Sequence, residues 1–322
     1  MSLAPYTRIL ARGPGRSRSY TQEEAAEVMR LMLAEGADPE AVGAILMLLR
    51  MKGETADEIA GFAEAAREAL PQIPRPALDW PSYAAGRTRG LPFFLLAARL
   101  VAQAGHPVLL HGWNSEHHMA EAASVRSALL HAGIPVAASV TDAGALLADH
   151  GIAYLPLEQF QPGLLALMQL RDKLGVRSCV NTVLRVLNPA RAPASVQGVF
   201  HPPYRELQAD AGRLLGQDNL TVIKGGGGEF ERNPGKEIAL FGLREGAPLD
   251  RLAPARMAET GKLNRGWTDP TLLARLWSGD WADDFATEIV LGTAELALDT
   301  LGVPDPSGEA RRLWAARAQV PA

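Results

Sequence analysis

Leu49-Arg-Met-Lys-Gly-Glu-Thr-Ala-Asp-Glu-Ile-Ala-Gly61 contains a helix end, a turn and a helix start in one short run. Gly53 is the stop, because glycine takes the left-handed conformation that closes a helix without a Cβ penalty. Thr55 with Glu58 is a capping box, in which each side chain satisfies a main-chain N–H near the other. Ile59, Phe62, Ala63 and Ala66 then recur at helical spacing. Upstream, Asp38-Pro39 opens a helix whose Val42, Ile45, Leu46 and Leu49 form one face. Further upstream, Thr21 and Glu24 repeat the capping box; Val28, Met29 and Met32 line that helix, and Gly36 ends it. Three short amphipathic helices bury little by themselves. Some of their apolar surface is therefore expected to face a second subunit.

Prolines 71, 74, 76 and 81 bracket a segment, Gln72 to Pro81, that reads as a hinge. Beyond it the pattern changes. Val108–Leu110, Val136–Val140, Ile152–Leu155, Val196–Phe200, Leu220–Ile223 and Glu237–Phe241 read as strands. Helical runs lie between most of them, as at Leu95–Ala104, Ala120–Ala132 and Gly163–Lys173, and Trp281–Leu301 reads as a C-terminal helix. Strand–helix alternation implies a mostly parallel sheet covered by helices on both faces. The expected fold class is thus α/β, with an N-terminal helical domain over residues 1–72 and a larger α/β domain over 73–322.

The 322 residues are 47% hydrophobic and 21% charged, with a formal net charge of −4, as in an ordinary globular protein. Leu91–Ala104 is the nearest approach to a membrane span, and Arg99 and Gln103 interrupt it. The N-terminal stretch carries Arg8, Arg12, Arg16 and Arg18 but lacks the apolar core of a signal peptide. The single cysteine, Cys179, excludes an internal disulfide and fits a reducing compartment, so a cytoplasmic location is expected. With no partner base in view, Cys179 reads as a small core residue. Glu116-His117-His118 lacks a third metal ligand and reads as solvated surface.

The most chemically suggestive run is Lys224 with Gly225, Gly226, Gly227 and Gly228, then Glu229-Phe230-Glu231-Arg232-Asn233-Pro234. An apolar run, Leu220–Ile223, leads into it. A strand that breaks into consecutive glycines can present bare N–H groups, which with a lysine suit a phosphate; the carboxylates suit a divalent cation. The competing reading is a flexible surface turn. In parallel sheets, ligands gather at the carboxyl ends of the strands, where this loop falls.

The order of these features resembles the anthranilate phosphoribosyltransferase family and its nucleoside-phosphorylase relatives. Leu49–Gly61 is nearly that family's signature for its helical domain. His111-Gly112-x-Asn114 resembles its Lys-His-Gly-Asn segment, and Arg171-x-x-Leu174-Gly175-x-Arg177 with Asn181 and Asn188-Pro189 resembles a second run. The glycine loop falls where the family has His-Gly-x-x-Gly-Leu-Asp-Glu. The resemblance implies a helical domain, a parallel α/β domain and a homodimer through the helices. It also implies transfer from phosphoribosyl pyrophosphate (PRPP) with Mg²⁺.

Three departures bear on that chemistry. The family's Gly-Thr-Gly-Gly-Asp-Gly pyrophosphate loop is here Ser82-Tyr83-Ala84-Ala85-Gly86-Arg87-Thr88-Arg89-Gly90. Phe230 replaces the Asp of the Asp-Glu metal pair, leaving Glu231, with Glu229 as a candidate substitute. Gln161 stands for the expected His, and Leu184-Arg185 for a Gly-Pro, while Arg171 keeps the position of the anthranilate-carboxylate contact. Losing one preorganised donor can cost roughly 10²- to 10³-fold in such a reaction. The departures resemble a branch of the family that lacks the pyrophosphate loop and is regarded as nucleic-acid binding. Its Arg12–Arg18 stretch, Pro81-Ser82-Tyr83 with Arg87, and Gly228-Glu229 before Asn233-Pro234 carry that match. On this reading Arg87, Arg89, His111, Asn114, Arg171, Lys173, Arg177, Lys224, the four glycines and Arg232 are expected around one cleft that tracks phosphates. Tyr83 and Trp113 are the expected stacking rings. DNA or RNA would bind with little sequence preference and no required cofactor. The alternative is a glycosyl or phosphoribosyl transferase that uses PRPP and Mg²⁺ on an aromatic or base acceptor.

Overall fold

The computed structural model describes residues 2–13, 15–83, 90–113, 124–263 and 265–317. Four helices come first: α1 (Ala4–Ala11), α2 (Gln22–Leu33), α3 (Pro39–Lys52) and α4 (Ala56–Glu68). Both capping boxes form as expected, Thr21 with Glu24 and Thr55 with Glu58. The opening stretch also sets how these helices meet. A Cβ on Gly61 would lie 2.1 Å from the Gln22 carbonyl oxygen, so α2 and α4 touch backbone to backbone at that point. Helix α1 was not expected from the sequence; its Leu10, with Leu3 just before it, joins the helical core.

The rest of the chain forms a seven-stranded sheet: β1 (Leu78–Ser82), β2 (Val108–Gly112), β3 (Ile152–Pro156), β4 (Ala194–Val199), β5 (Asn219–Lys224), β6 (Ile238–Arg244) and β7 (Ala247–Ala253). Strand order is β3-β2-β1-β4-β5-β6-β7. The first five are parallel, and β6 and β7 are antiparallel. The remaining helices are α5 (Phe94–Gln103), α6 (Val125–Ala132), α7 (Val140–His150), α8 (Leu157–Phe160), α9 (Pro162–Gln169), α10 (Arg171–Leu174) and α11 (Val180–Val186). They continue with α12 (Tyr204–Leu214), α13 (Thr271–Ser278), α14 (Asp284–Thr300) and α15 (Pro306–Ala316). One face of the sheet packs on α5 and α14 through Trp80, Phe94, Tyr154, Phe285 and Ile289. The other face shares a core with the N-terminal helices, where Leu109, Leu155 and Val183 meet Met29, Ile45 and Phe62.

Three further elements, besides α1, differ from the sequence expectation. The proline-rich segment ends not in a hinge but in β1, a fully buried central strand. Pro81 fits there because pairing with β4 covers only Leu78 and Asp79, so its missing N–H falls beyond that ladder. Val136–Val140 is not a strand: Val136 makes a single bridge to Tyr154, and Ser139 then caps α7 by accepting from the Asp142 N–H at 3.1 Å. β7 follows a tight turn in which Glu245 and Gly246 both have positive φ, 51° and 76°, as a two-residue hairpin turn requires.

The winding reverses between β1 and β4. β2 and β3 build outward from one side of β1, and β4 and β5 from the other. The carboxyl ends of β1 and β4 therefore mark the switch point at which sheets of this kind open a crevice.

Candidate functional site: an arginine cleft between the helices and the sheet

A cleft of about 280 Å³ lies at that switch point. Arg50 reaches it from the end of α3, Arg171 from α10, Arg177 from the turn after α10, and Arg185 from α11. Val199 and Phe200 at the end of β4 form one wall, and Tyr204 and Gln208, one turn apart on α12, form another. Among the described lining residues none is acidic. The cations crowd one another. Burial, and then Arg171, Arg185 and Arg50, push the Arg177 guanidinium down to about 10. Burial also pulls Arg185 below the ordinary arginine value, while Glu229 pulls it back up. Arg185 is held by the Tyr83 carbonyl, to which it donates at 2.7 Å. Tyr204 donates to Glu54 at 3.0 Å, tying α12 to the turn after α3.

Arg171 and Arg177 line the cleft, and Lys224 is exposed at the end of β5, where it pairs in register with Val199. Arg87, Arg89 and Asn114, like Glu116-His117-His118, lie outside the described residues. Lys173 is exposed but does not line the cleft, and Trp113 is half-buried against the helical core.

Other expectations need correction. Tyr83, expected to stack on a base, is 2% exposed, and its hydroxyl bonds the His111 Nδ1 at 2.8 Å. His111 is fully buried; its Nε2 meets Asp79 at 3.0 Å, and Asp79 accepts from Ser195 at 2.8 Å. This Ser195–Asp79–His111–Tyr83 chain is an internal polar network that fixes the end of β1, and with both ring nitrogens partnered inside it His111 has none to offer a phosphate. Arg232 is buried as well. It donates to Glu295 and to the Pro254 carbonyl and does not line the arginine cleft.

The glycine loop is wound on itself. The N–H groups of Gly225, Gly226 and Gly228 donate to Val199, Glu231 and Gly225 carbonyls, so these three are not offered to a ligand. Gly227 and Gly228 have φ of 65° and 94°, conformations that side chains disfavour. A Cβ on Gly225 would sit 1.8 Å from the Glu229 carbonyl oxygen. The glycines thus let the chain approach itself rather than a phosphate.

The implied metal position fails the same test. The Phe230 ring is fully buried, edge-on to Trp80 with centroids 5.5 Å apart. Glu231 is buried with Oε2 accepting from the Phe94 N–H at 3.0 Å, at the start of α5. Among the described residues no three His, Cys, Asp or Glu side chains are grouped to hold a metal. Hard cations need several oxygen ligands, and the residues described here do not fit Mg²⁺. Gln161, at the family's His position, caps α9 through the Gly163 N–H and donates to the Ala69 carbonyl.

Sequence reasoning did not pick out Arg50, Phe200, Tyr204 or Gln208 as site residues. Arg50 lay inside the quoted helical stretch and was readable as a solvated end of α3. Tyr204 and Gln208 stand four residues apart, a spacing that puts both on one helix face. Which face met the cleft depended on the packing of α12 against α4 and β6.

The architecture is thus a helical bundle joined to a doubly wound sheet with a crevice at its switch point. Residues 4–70 match the helical bundle domain of the glycosyl transferase family. An anthranilate phosphoribosyltransferase of Thermus thermophilus is 31% identical over 276 residues, spanning 79% of this chain and 83% of that protein. The chain belongs to the anthranilate phosphoribosyltransferase family. The solved structure of an anthranilate phosphoribosyltransferase from Thermus thermophilus superposes with a TM-score of 0.77 at 24% identity, covering 99% of this chain and 95% of that one. The Saccharomyces cerevisiae enzyme in complex with PRPP and Mg gives 0.79 at 16% identity, covering 98% and 93%, and shares the fold. Among the described residues no helix is long and apolar enough to cross a membrane.

Proposed function

We propose that this family member uses the arginine cleft to hold phosphate groups of a nucleic acid, with little sequence preference, and no longer transfers a phosphoribosyl group to anthranilate. The observation that carries the reading is the convergence of Arg50, Arg171, Arg177 and Arg185 on a cleft whose described lining has no carboxylate. Guanidinium groups are weakly hydrated, fork-shaped donors suited to phosphate oxygens. Lys224 extends the positive surface beyond β5. With Phe230 in the core and Glu231 bonded to the start of α5, the cleft holds anions without a metal. No cofactor is required on this reading.

Fluorescence anisotropy with a short labelled single strand tests it. Binding at low salt should weaken at least about tenfold in the Arg171→Ala, Arg177→Ala double variant, since each charged contact contributes roughly 1 kcal/mol or more. No binding at low salt, or binding indifferent to the double variant, overturns the reading.

A second reading has support from the relatives. Their named activity, the 31% identity and the place of Arg171 in the cleft favour a transferase acting on an aromatic or base acceptor. Mg²⁺ belongs to this reading alone. Calorimetry with PRPP separates the two: Mg²⁺-dependent binding would favour the transferase.

We also propose self-association through the N-terminal helices. Met51 on α3 is 80% exposed, and Met47 and Leu48 of the same helix are only half-buried. Sedimentation velocity should show a dimer that Met51→Glu converts to monomer; a wild-type monomer would remove the idea.

A further inference from the structure

Gln208 is 1% exposed, and neither its Oε1 nor its Nε2 has a hydrogen-bond partner. It lies on α12 one turn beyond Tyr204, on the face that lines the arginine cleft. A buried amide with both ends unsatisfied carries a desolvation cost, and such groups need an explanation. The surroundings supply one. Arg177 and Arg185 flank the cleft with positive charge, and Phe200, which also lines it, is 45% exposed.

We propose that Gln208 binds the edge of a nucleobase whose phosphate is held by the arginines and whose ring lies against Phe200. A primary amide offers a donor and an acceptor side by side, and nucleobases present the complementary pair; glutamine bonds adenine N6 and N7 in this way. An exposed aromatic residue on the lining suits an unstacked base, as found where single strands are held. The cleft volume, about 280 Å³, is near the lower end of small-ligand sites, so it takes one nucleotide while the rest of a strand lies outside. The amide's two ends, once bonded to a base, are no longer unsatisfied. The unpartnered Gln208 of the free protein and the proposed ligand thus account for each other.

This inference rests on the anion reading of the cleft, and the test separates the two. Adenosine 5′-monophosphate and ribose 5-phosphate differ by the base alone. Calorimetry should show the nucleotide binding on the order of 10- to 100-fold more tightly, the worth of one good bidentate pair. Gln208→Leu should bring the nucleotide down toward ribose 5-phosphate and leave ribose 5-phosphate unchanged. The melting temperature of the free variant should hold or rise, because a buried unsatisfied amide has been removed. Phe200→Ala, a change at an exposed ring, should weaken the nucleotide selectively without disturbing the fold.

Equal binding of the two probes to the wild type overturns the proposal but leaves the anion reading in place. So does a nucleotide preference unchanged in both variants. A clear fall in melting temperature for Gln208→Leu would make the amide a structural partner and overturn the proposal as well. If nucleotide, ribose 5-phosphate and oligonucleotide all fail to bind, the anion reading itself falls.

Discussion

The Glu231 carboxylate accepts a 3.0 Å hydrogen bond from the main-chain N–H of Phe94, the first residue of α5. A negative charge at a helix N-terminus meets unsatisfied donors and the positive end of the helix dipole. The carboxylate that stands in the family's metal pair therefore fastens the loop to α5.

Glu231→Ala should lower stability by about 1–3 kcal/mol, the cost of leaving a buried donor unmade. Glu231→Gln retains an acceptor oxygen and should cost less. Urea denaturation checks both, and a midpoint unchanged in Glu231→Ala would contradict the assigned role.

Phe230→Asp restores the family's residue on paper. Here it removes a core ring from Trp80 and buries a carboxylate, so the loss should be about 3–5 kcal/mol. Millimolar Mg²⁺ should not rescue it. A stable variant whose melting temperature rises with Mg²⁺ would show that the metal site survives.

Arg171 and Arg177 should each contribute to the salt dependence of oligonucleotide binding. Removing one phosphate contact lowers the slope of log K against log salt by ~0.7 for a single strand. Anisotropy titrations across a salt series read this directly. Slopes identical to wild type would place both side chains off the strand.

Arg177 titrates early, being pushed down to about 10 by burial and then by Arg171, Arg185 and Arg50. A bound anion favours its charged form, so phosphate affinity should stay flat to about pH 9 and fall above about pH 10. The stability contribution has the opposite slope. Above about pH 10 the folded chain loses this proton while the unfolded chain keeps it until the ordinary arginine value, so stability from this group rises across that window. Arg177→Gln should remove the step in phosphate affinity, which calorimetry at several pH values would detect.

Gly61→Ala should be costly although alanine is the better helix former. Its Cβ would meet the Gln22 carbonyl oxygen at 2.1 Å, forcing α2 from α4 at an expected cost of about 1–3 kcal/mol. Thermal melting would show it; an unchanged melting temperature would mean the two helices separate freely.

Much of the fold was legible locally. Capping boxes at Thr21 and Thr55 are short-range hydrogen-bond patterns, and they form where they were read. β1 was obscured because Pro74, Pro76 and Pro81 mark it as a breaker, whereas its pairing needs only Leu78 and Asp79 on the β4 side. Val136–Val140 reads as a strand because two valines bracket small residues, but Ser139 instead accepts from the Asp142 N–H and starts α7. In the site, residue type alone could not separate the exposed Lys224 from the buried Arg232, since both flank the same glycines.

By itself the sequence determined the helical opening and the alternation that builds a parallel sheet. Those are properties of neighbouring residues and their spacing. Only the tertiary structure decided which polar groups are available. It closed the glycine N–H groups onto Val199, Glu231 and Gly225, buried Tyr83 and His111 in a chain with Asp79, and turned four arginines from separate segments onto one cleft with Gln208. The reason is physical: burial and partnering depend on contacts between residues far apart in the chain, and a side chain's chemistry is set by what it meets there.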